Sequence, residues 1–169
     1  MAILCEPAAS AGKLTFGVGP DVRIADTLAG AARLLESDAL ESLVVIGPFL
    51  TALRGNAYTN VGPVTIQSFE TANLRYLRGK IPRGSNIRLL QLLWKGDTQP
   101  ADIAKAGGKL TYAQMMTPAG LKDIASYADS IGPELRSIIP LDAKGALSTP
   151  TTLVQDAHAV GLMVIPYTF

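Results

Sequence analysis

Val64-Thr65-Ile66-Gln67-Ser68-Phe69 follows Gly62-Pro63 and precedes Glu70 to Arg78, where Ala72, Leu74 and Leu77 recur among polar residues. The first run is short, apolar and rich in β-branched residues, which predicts a buried strand. The second has helical spacing and is stopped by Gly79 and Pro82. Ile87 to Leu93 is the next apolar run and reads as a second strand. A strand, a helix and a strand at this spacing form a parallel βαβ unit, and the pattern continues toward the C-terminus.

Lys95 to Gly108 reads as an irregular, Gly-rich stretch. Thr117-Pro118 then opens a helix, with a hydroxyl at the N-cap and proline at the first helical position. Leu121, Ile124, Ala125 and Ala128 share one face of it. Ser130-Ile131-Gly132-Pro133 is a short extended element, and Pro140 to Pro150 is a loop rich in Pro, Gly and Ser. Thr151 to Val160 is predicted helical, Gly161 is its C-terminal glycine, and Leu162 to Tyr167 is a strand. Residues 61–169 therefore form one α/β domain. Residues 1–60 form an atypical, mainly helical segment: Leu28, Ala32, Leu35, Ala39 and Leu43 have helical spacing between Ala25 and Leu43. Leu43 to Ile46 reads equally well as a strand ended by Gly47-Pro48.

The 169 residues suit one ordinary domain. Fifteen Lys and Arg against fourteen Asp and Glu leave a net charge of +1. That balance offers no basic stripe for nucleic acid or an anionic membrane and leaves small anionic substrates open. One cysteine, Cys5, and one histidine, His158, exclude an intrachain disulfide and a Cys/His zinc cluster. Cys5 has nothing basic beside it and reads as a small buried hydrophobe. No run reaches the ~18 residues of a membrane span, and no signal peptide is seen, so a cytoplasmic chain is expected.

Five ordered blocks carry a resemblance. They are Val64 to Glu70 with Ala72-Asn73-Leu74; Leu90-Gln91-Leu92; Tyr127-Ala128-Asp129-Ser130-Ile131-Gly132-Pro133; Val154-Gln155-Asp156-Ala157-His158 with Gly161-Leu162; and Pro166-Tyr167-Thr168. In order and spacing they closely resemble glycerophosphodiester phosphodiesterases, over residues 61–169. The resemblance implies part of a (β/α)8 TIM barrel with its site at the C-terminal ends of the strands. It implies hydrolysis of a small glycerophosphodiester to an alcohol and glycerol 3-phosphate, a step of lipid and glycerol metabolism, with a divalent cation, calcium or magnesium.

The family's His-Arg-Gly, Glu-x-Asp, His-Asp and Glu-x-Lys motifs do not match this chain. Arg54-Gly55, Arg78-Gly79 and Arg83-Gly84 lack a preceding histidine, and Glu36-Ser37-Asp38 has the Glu-x-Asp spacing at the end of a predicted helix. Glu6 is the one metal-ligand candidate, as a remnant of Glu-x-Lys in which position 8 is alanine. No catalytic residue is assigned. Gln67, Ser68 and Gln91 are substrate-binding candidates at strand ends, and Tyr167 matches an aromatic near the family's substrate. Each also fits a satisfied interior position. Trp94 and Lys95 line the mouth or pack beneath the following segment, and His158 falls on an outer helix. An active hydrolase and a truncated, catalytically inactive remnant serving as a structural or binding module, with no cation, both remain open. Four strands leave two open edges, so self-association is a further expectation.

Overall fold

A computed structural model describes residues 22–25 and 42–167, with side chains from residue 49 onward. The chain divides into two compact units, Met1–Val64 and Thr65–Phe169.

In the first unit, β1 (Val22–Ala25) and β2 (Ser42–Val45) pair in parallel, Val22 opposite Ser42 through Ala25 opposite Val45. The strand reading of Leu43 is the one observed, and Ala25 is also in a strand; residues 26–41, including Glu36 and Asp38, lie outside the described residues. Gly47-Pro48 does not end the element in a turn. It sits in the first turn of α1 (Ile46–Gly55), where a proline costs no helical hydrogen bond. The Asn56 side chain then accepts from the Tyr58 and Thr59 amides and starts α2 (Ala57–Val61).

The second unit is built on β3 (Val64–Ser68), β4 (Ile87–Leu93), β5 (Ser130–Pro133) and β6 (Met163–Val164), in that spatial order. All four strands are parallel. The result is α/β with a four-stranded parallel sheet, a geometry compatible with part of a (β/α)8 barrel. Its helices are α3 (Thr71–Arg78), α4 (Ala101–Lys105), α5 (Tyr112–Met115), α6 (Pro118–Tyr127), α7 (Leu135–Ile138) and α8 (Leu153–Ala159). No helix among the described residues is long and apolar enough to cross a membrane.

The core explains why each element forms where it does. β4 is central, and every residue in it except Arg88 is buried, as a parallel strand covered on both faces must be. Leu74 and Leu77 of α3, Leu121, Ile124 and Tyr127 of α6, and Leu153 and Ala157 of α8 are the buried positions of their helices, at the helical spacing the sequence shows. Asp129, just before β5, joins three elements. Its carboxylate pairs with Arg78 at 2.5 Å and Arg83 at 3.1 Å and accepts the Leu89 amide at 2.8 Å. The Arg83 guanidinium also donates to the Ala128 and Ala125 carbonyls.

Three helices have no counterpart in the sequence pattern: α4 falls inside the Lys95–Gly108 stretch that reads as irregular, and α5 and α7 fall where the pattern assigns no element, before Thr117 and before the Pro140 loop. Each is only one turn long, too short to show a hydrophobic period. The Leu162–Tyr167 strand is shorter than the pattern suggests, pairing only over Met163–Val164 and again where Tyr167 meets Glu134. Pro166, which has no N–H to give the ladder, separates the two. Gly161 has φ +79°, the left-handed conformation that ends α8 and favours glycine.

Candidate functional site

Because the strands are parallel, their C-terminal ends share one edge, and the residues immediately beyond them meet there. Phe69 follows β3, Trp94 follows β4, Glu134 follows β5 and Tyr167 lies beyond β6. Trp94 and Tyr167 stack, with ring centroids 6.0 Å apart and planes 11° from parallel. Phe69 stands edge-on to both, at 5.8 Å and 5.9 Å, and Tyr112 of α5 meets Phe69 edge-on at 6.4 Å. Such pairs contribute about 0.5–1.5 kcal/mol each beyond their burial. Trp94 nonetheless stays 42% exposed, so this edge presents an aromatic wall to solvent.

Polar bonds fix the wall. The Tyr167 hydroxyl donates to the Leu93 carbonyl at 2.8 Å, and burial, with the Glu134 charge adding to it, pushes its phenol up to about 12. The Tyr112 hydroxyl donates to the Phe69 carbonyl at 3.4 Å. Burial first, then the Glu70 and Asp102 charges, raise the Tyr112 phenol well above its ordinary value. Both phenols are therefore neutral donors at physiological pH.

Alternation along the strands sorts the sequence-derived candidates between two faces. A Cβ on Gly132 would meet the Leu90 and Leu92 side chains, so Gly132, Leu90 and Leu92 share one face, and the alternation carries on through Trp94 and Glu134. Gln67 and Phe69 share a face of β3, and Phe69 touches Trp94 and Tyr167. Gln67 is half-buried.

Ser68 and Gln91 point the other way, into the helix layer. Ser68 is buried; its hydroxyl donates to Glu70 Oε2 at 2.9 Å and accepts from Asn73 Nδ2 at 2.8 Å and the Glu70 amide at 3.1 Å. Gln91 is fully buried. Its amide donates to the carbonyls of Phe69 at 2.9 Å, Leu92 at 3.0 Å and Ser68 at 3.2 Å, and its oxygen accepts the Tyr127 hydroxyl at 2.9 Å. In this arrangement both side chains hold the strand ends in place from behind. Glu6 lies outside the described residues, and His158 is exposed on α8.

Three residues around the site carried no separate signal in the sequence. Glu70 is 7% exposed beside Ser68. Asn73 has a buried Oδ1 with no hydrogen-bond partner. Asp102 reaches back from α4 to accept the Thr71 amide, the Thr71 hydroxyl and the Ala72 amide at 2.8, 3.0 and 2.7 Å, capping α3 from a distant part of the chain. Only the last is beyond sequence reasoning in principle, because it depends on a tertiary contact. Among the described residues no three His, Cys, Asp or Glu side chains come together to hold a metal ion, and Glu70 and Asp102 are both engaged in hydrogen bonds. The described residues do not fit a divalent cation.

No protein-family model matches the chain. It is 35% identical over 107 residues to glycerophosphodiester phosphodiesterase GDPD6 of Arabidopsis thaliana, a match covering 63% of this chain and 26% of the relative. The chain thus spans about a quarter of the length of the curated relative it matches. Sequence blocks, parallel sheet and relative agree, and the chain carries a partial glycerophosphodiester phosphodiesterase-like segment.

Proposed function

We propose that the chain serves in the hydrolysis of glycerophosphodiesters to an alcohol and glycerol 3-phosphate, and that the strand ends of the second unit form the substrate-facing wall of a partial (β/α)8 barrel. The observation that supports this best is the aromatic edge of Phe69, Trp94 and Tyr167, at the C-terminal ends of parallel strands, in a segment similar to a glycerophosphodiester phosphodiesterase. Barrel enzymes bind at that end. The rings suit the CH faces of a glycerol unit, Gln67 offers an amide on the same side, and exposed Lys95 directly after Trp94 offers a cation for the phosphodiester. Ser68 and Gln91 act indirectly, by positioning Phe69. The chain is a cytoplasmic one in this reading.

Calcium or magnesium is the cation in this reading, with Glu6, which lies outside the described residues, as its candidate ligand. A second reading, binding without turnover, is favoured by one observation: the sole histidine, His158, is exposed on the outer helix α8 and takes no part in this edge. A missing general acid or base typically costs about 10²–10⁴ in rate.

One experiment separates the readings. The purified chain is incubated with glycerophosphocholine and magnesium or calcium, and glycerol 3-phosphate is assayed alongside equilibrium binding of the diester. Metal-dependent release supports hydrolysis; saturable binding without release supports the binding module. Neither release nor binding would refute both.

A further inference from the structure

The sheet face turned away from the helices carries a charge at each end that no described residue pairs. Arg88, Leu90 and Leu92 share that face of β4 with Gly132 of β5, and the register that aligns Leu90, Ser130 and Met163 adds Met163 and Ile165 of β6. At the strand starts Arg88 is exposed. Its guanidinium touches Met163 Sδ at 3.6 Å, and among the described residues it has no ion pair. At the strand ends Glu134 is half-buried, caps nothing at the start of α7, and among the described residues its side chain has no hydrogen bond or ion pair. Between the two charges, Met163 and Ile165 stay 39% and 47% exposed although both are large and apolar.

The spacing of these groups is symmetric. Glu134 lies level with Tyr167 across its bridge, and Arg88, two residues before Leu90, lies level with position 161. The midpoint along the strands is position 164, so Met163 and Ile165 flank the centre and each charge stands about 10 Å from it in the strand direction. A cation at one end, a carboxylate at the other and an apolar centre make a face complementary to itself turned end for end. A twofold axis lying across the strands at Val164 sets Met163 of one copy on the partner's Ile165 and Arg88 on the partner's Glu134, and each contact occurs twice. The sideways offset between β4 and β5 is roughly 5 Å, within reach of an arginine side chain.

Strand addition at the β6 edge is the other route to a dimer, and the backbone disfavours it. The Met163, Ile165 and Tyr167 amides donate to the carbonyls of Asp129, Ile131 and Pro133 at 3.2, 2.9 and 3.2 Å. Positions 164 and 166 therefore face the open edge, and Pro166 has no N–H to give there.

We propose that this sheet face is an interface between two copies of the chain, centred on Met163 and Ile165 and oriented by reciprocal Arg88–Glu134 pairs. The proposal does not rest on the phosphodiester reading. Association would compete with ligand entry at the strand ends, because Glu134 stands there.

The test is sedimentation equilibrium of the full chain without ligand. Wild type is expected to show a reversible monomer–dimer equilibrium. Arg88→Glu sets two carboxylates against each other at both charge contacts and Glu134→Arg sets two guanidiniums, so each variant alone should dimerise about tenfold more weakly. Mixed in equal amounts, the two variants regain an opposite-charge pair at both contacts, and mixed dimers should form with the wild-type affinity. No role of either residue within its own chain predicts that rescue. Melting curves that match wild type confirm that both variants fold; if either does not, Ile165→Lys at the exposed centre decides, and it is expected to be monomeric. Wild type that stays monomeric at about 0.5 mM overturns the proposal. So does a folded charge variant that dimerises as tightly as wild type, a mixture no tighter than its components, or an Ile165→Lys chain whose association is unchanged.

Discussion

Replacing Gln91 with methionine keeps an unbranched side chain of similar size and removes the amide, and the cost can be worked from its partners. The Tyr127 hydroxyl, now donating to Gln91 at 2.9 Å in a buried setting, loses its acceptor. An unsatisfied buried polar group costs about 1–3 kcal/mol. The Ser68 carbonyl loses its bond from Gln91, worth about 1 kcal/mol net, whereas the Phe69 carbonyl keeps the Tyr112 hydroxyl. The sum is about 3 kcal/mol, or roughly 12–24 °C in melting temperature for a unit of this size. Urea unfolding followed by Trp94 emission measures it. Tyr127→Phe removes the stranded hydroxyl, so the double variant should recover about 1–2 kcal/mol relative to additivity. If Gln91→Met costs under about 0.5 kcal/mol and instead abolishes ligand binding, Gln91 is a substrate contact and the orientation argued above is wrong.

Other outcomes follow from the same contacts. Asp102→Ala should cost about 1–2 kcal/mol by uncapping α3 and should speed hydrogen exchange at the Thr71 and Ala72 amides, their protection being the readout. Gly120→Ala would place a Cβ 2.3 Å from the Gln114 carbonyl oxygen and 2.5 Å from that of Met115, so it should lose about 3 kcal/mol in chemical denaturation, against about 1–2 kcal/mol for Gly161→Ala at φ +79°. Tyr112, Tyr127 and Tyr167 all have raised phenol pKa values, burial being the main cause, so the folded chain holds their protons more tightly than the unfolded one. Stability should therefore be insensitive to their titration below pH ~10 and fall as pH rises from ~10 through ~12, as thermal melts across that window would show.

The parallel βαβ order was legible because β3, β4, α3 and α6 are each long enough to show their period, and because Gly79, Thr117-Pro118 and Gly161 mark where helices stop and start. The one-turn helices α4, α5 and α7 were not legible by periodicity, although Thr111 and Gln114 spell the capping box that starts α5. Strand ends located the candidate site, but the chain of letters left each side chain's face open. Ser68 and Gln91 turn toward the helices because Asn73 and Tyr127 offer them partners there, while Phe69 and Tyr167 turn toward the aromatic wall. Asp102 gained its role only when distant segments met.

The most direct test of the substrate-facing edge is a chemical-shift map of the chain titrated with glycerol 3-phosphate. The account predicts perturbations concentrated at Gln67, Phe69, the Trp94 indole and Tyr167, with His158 and the exposed face of α8 unmoved. Shifts confined to the helix layer, or none at saturating ligand, would contradict it.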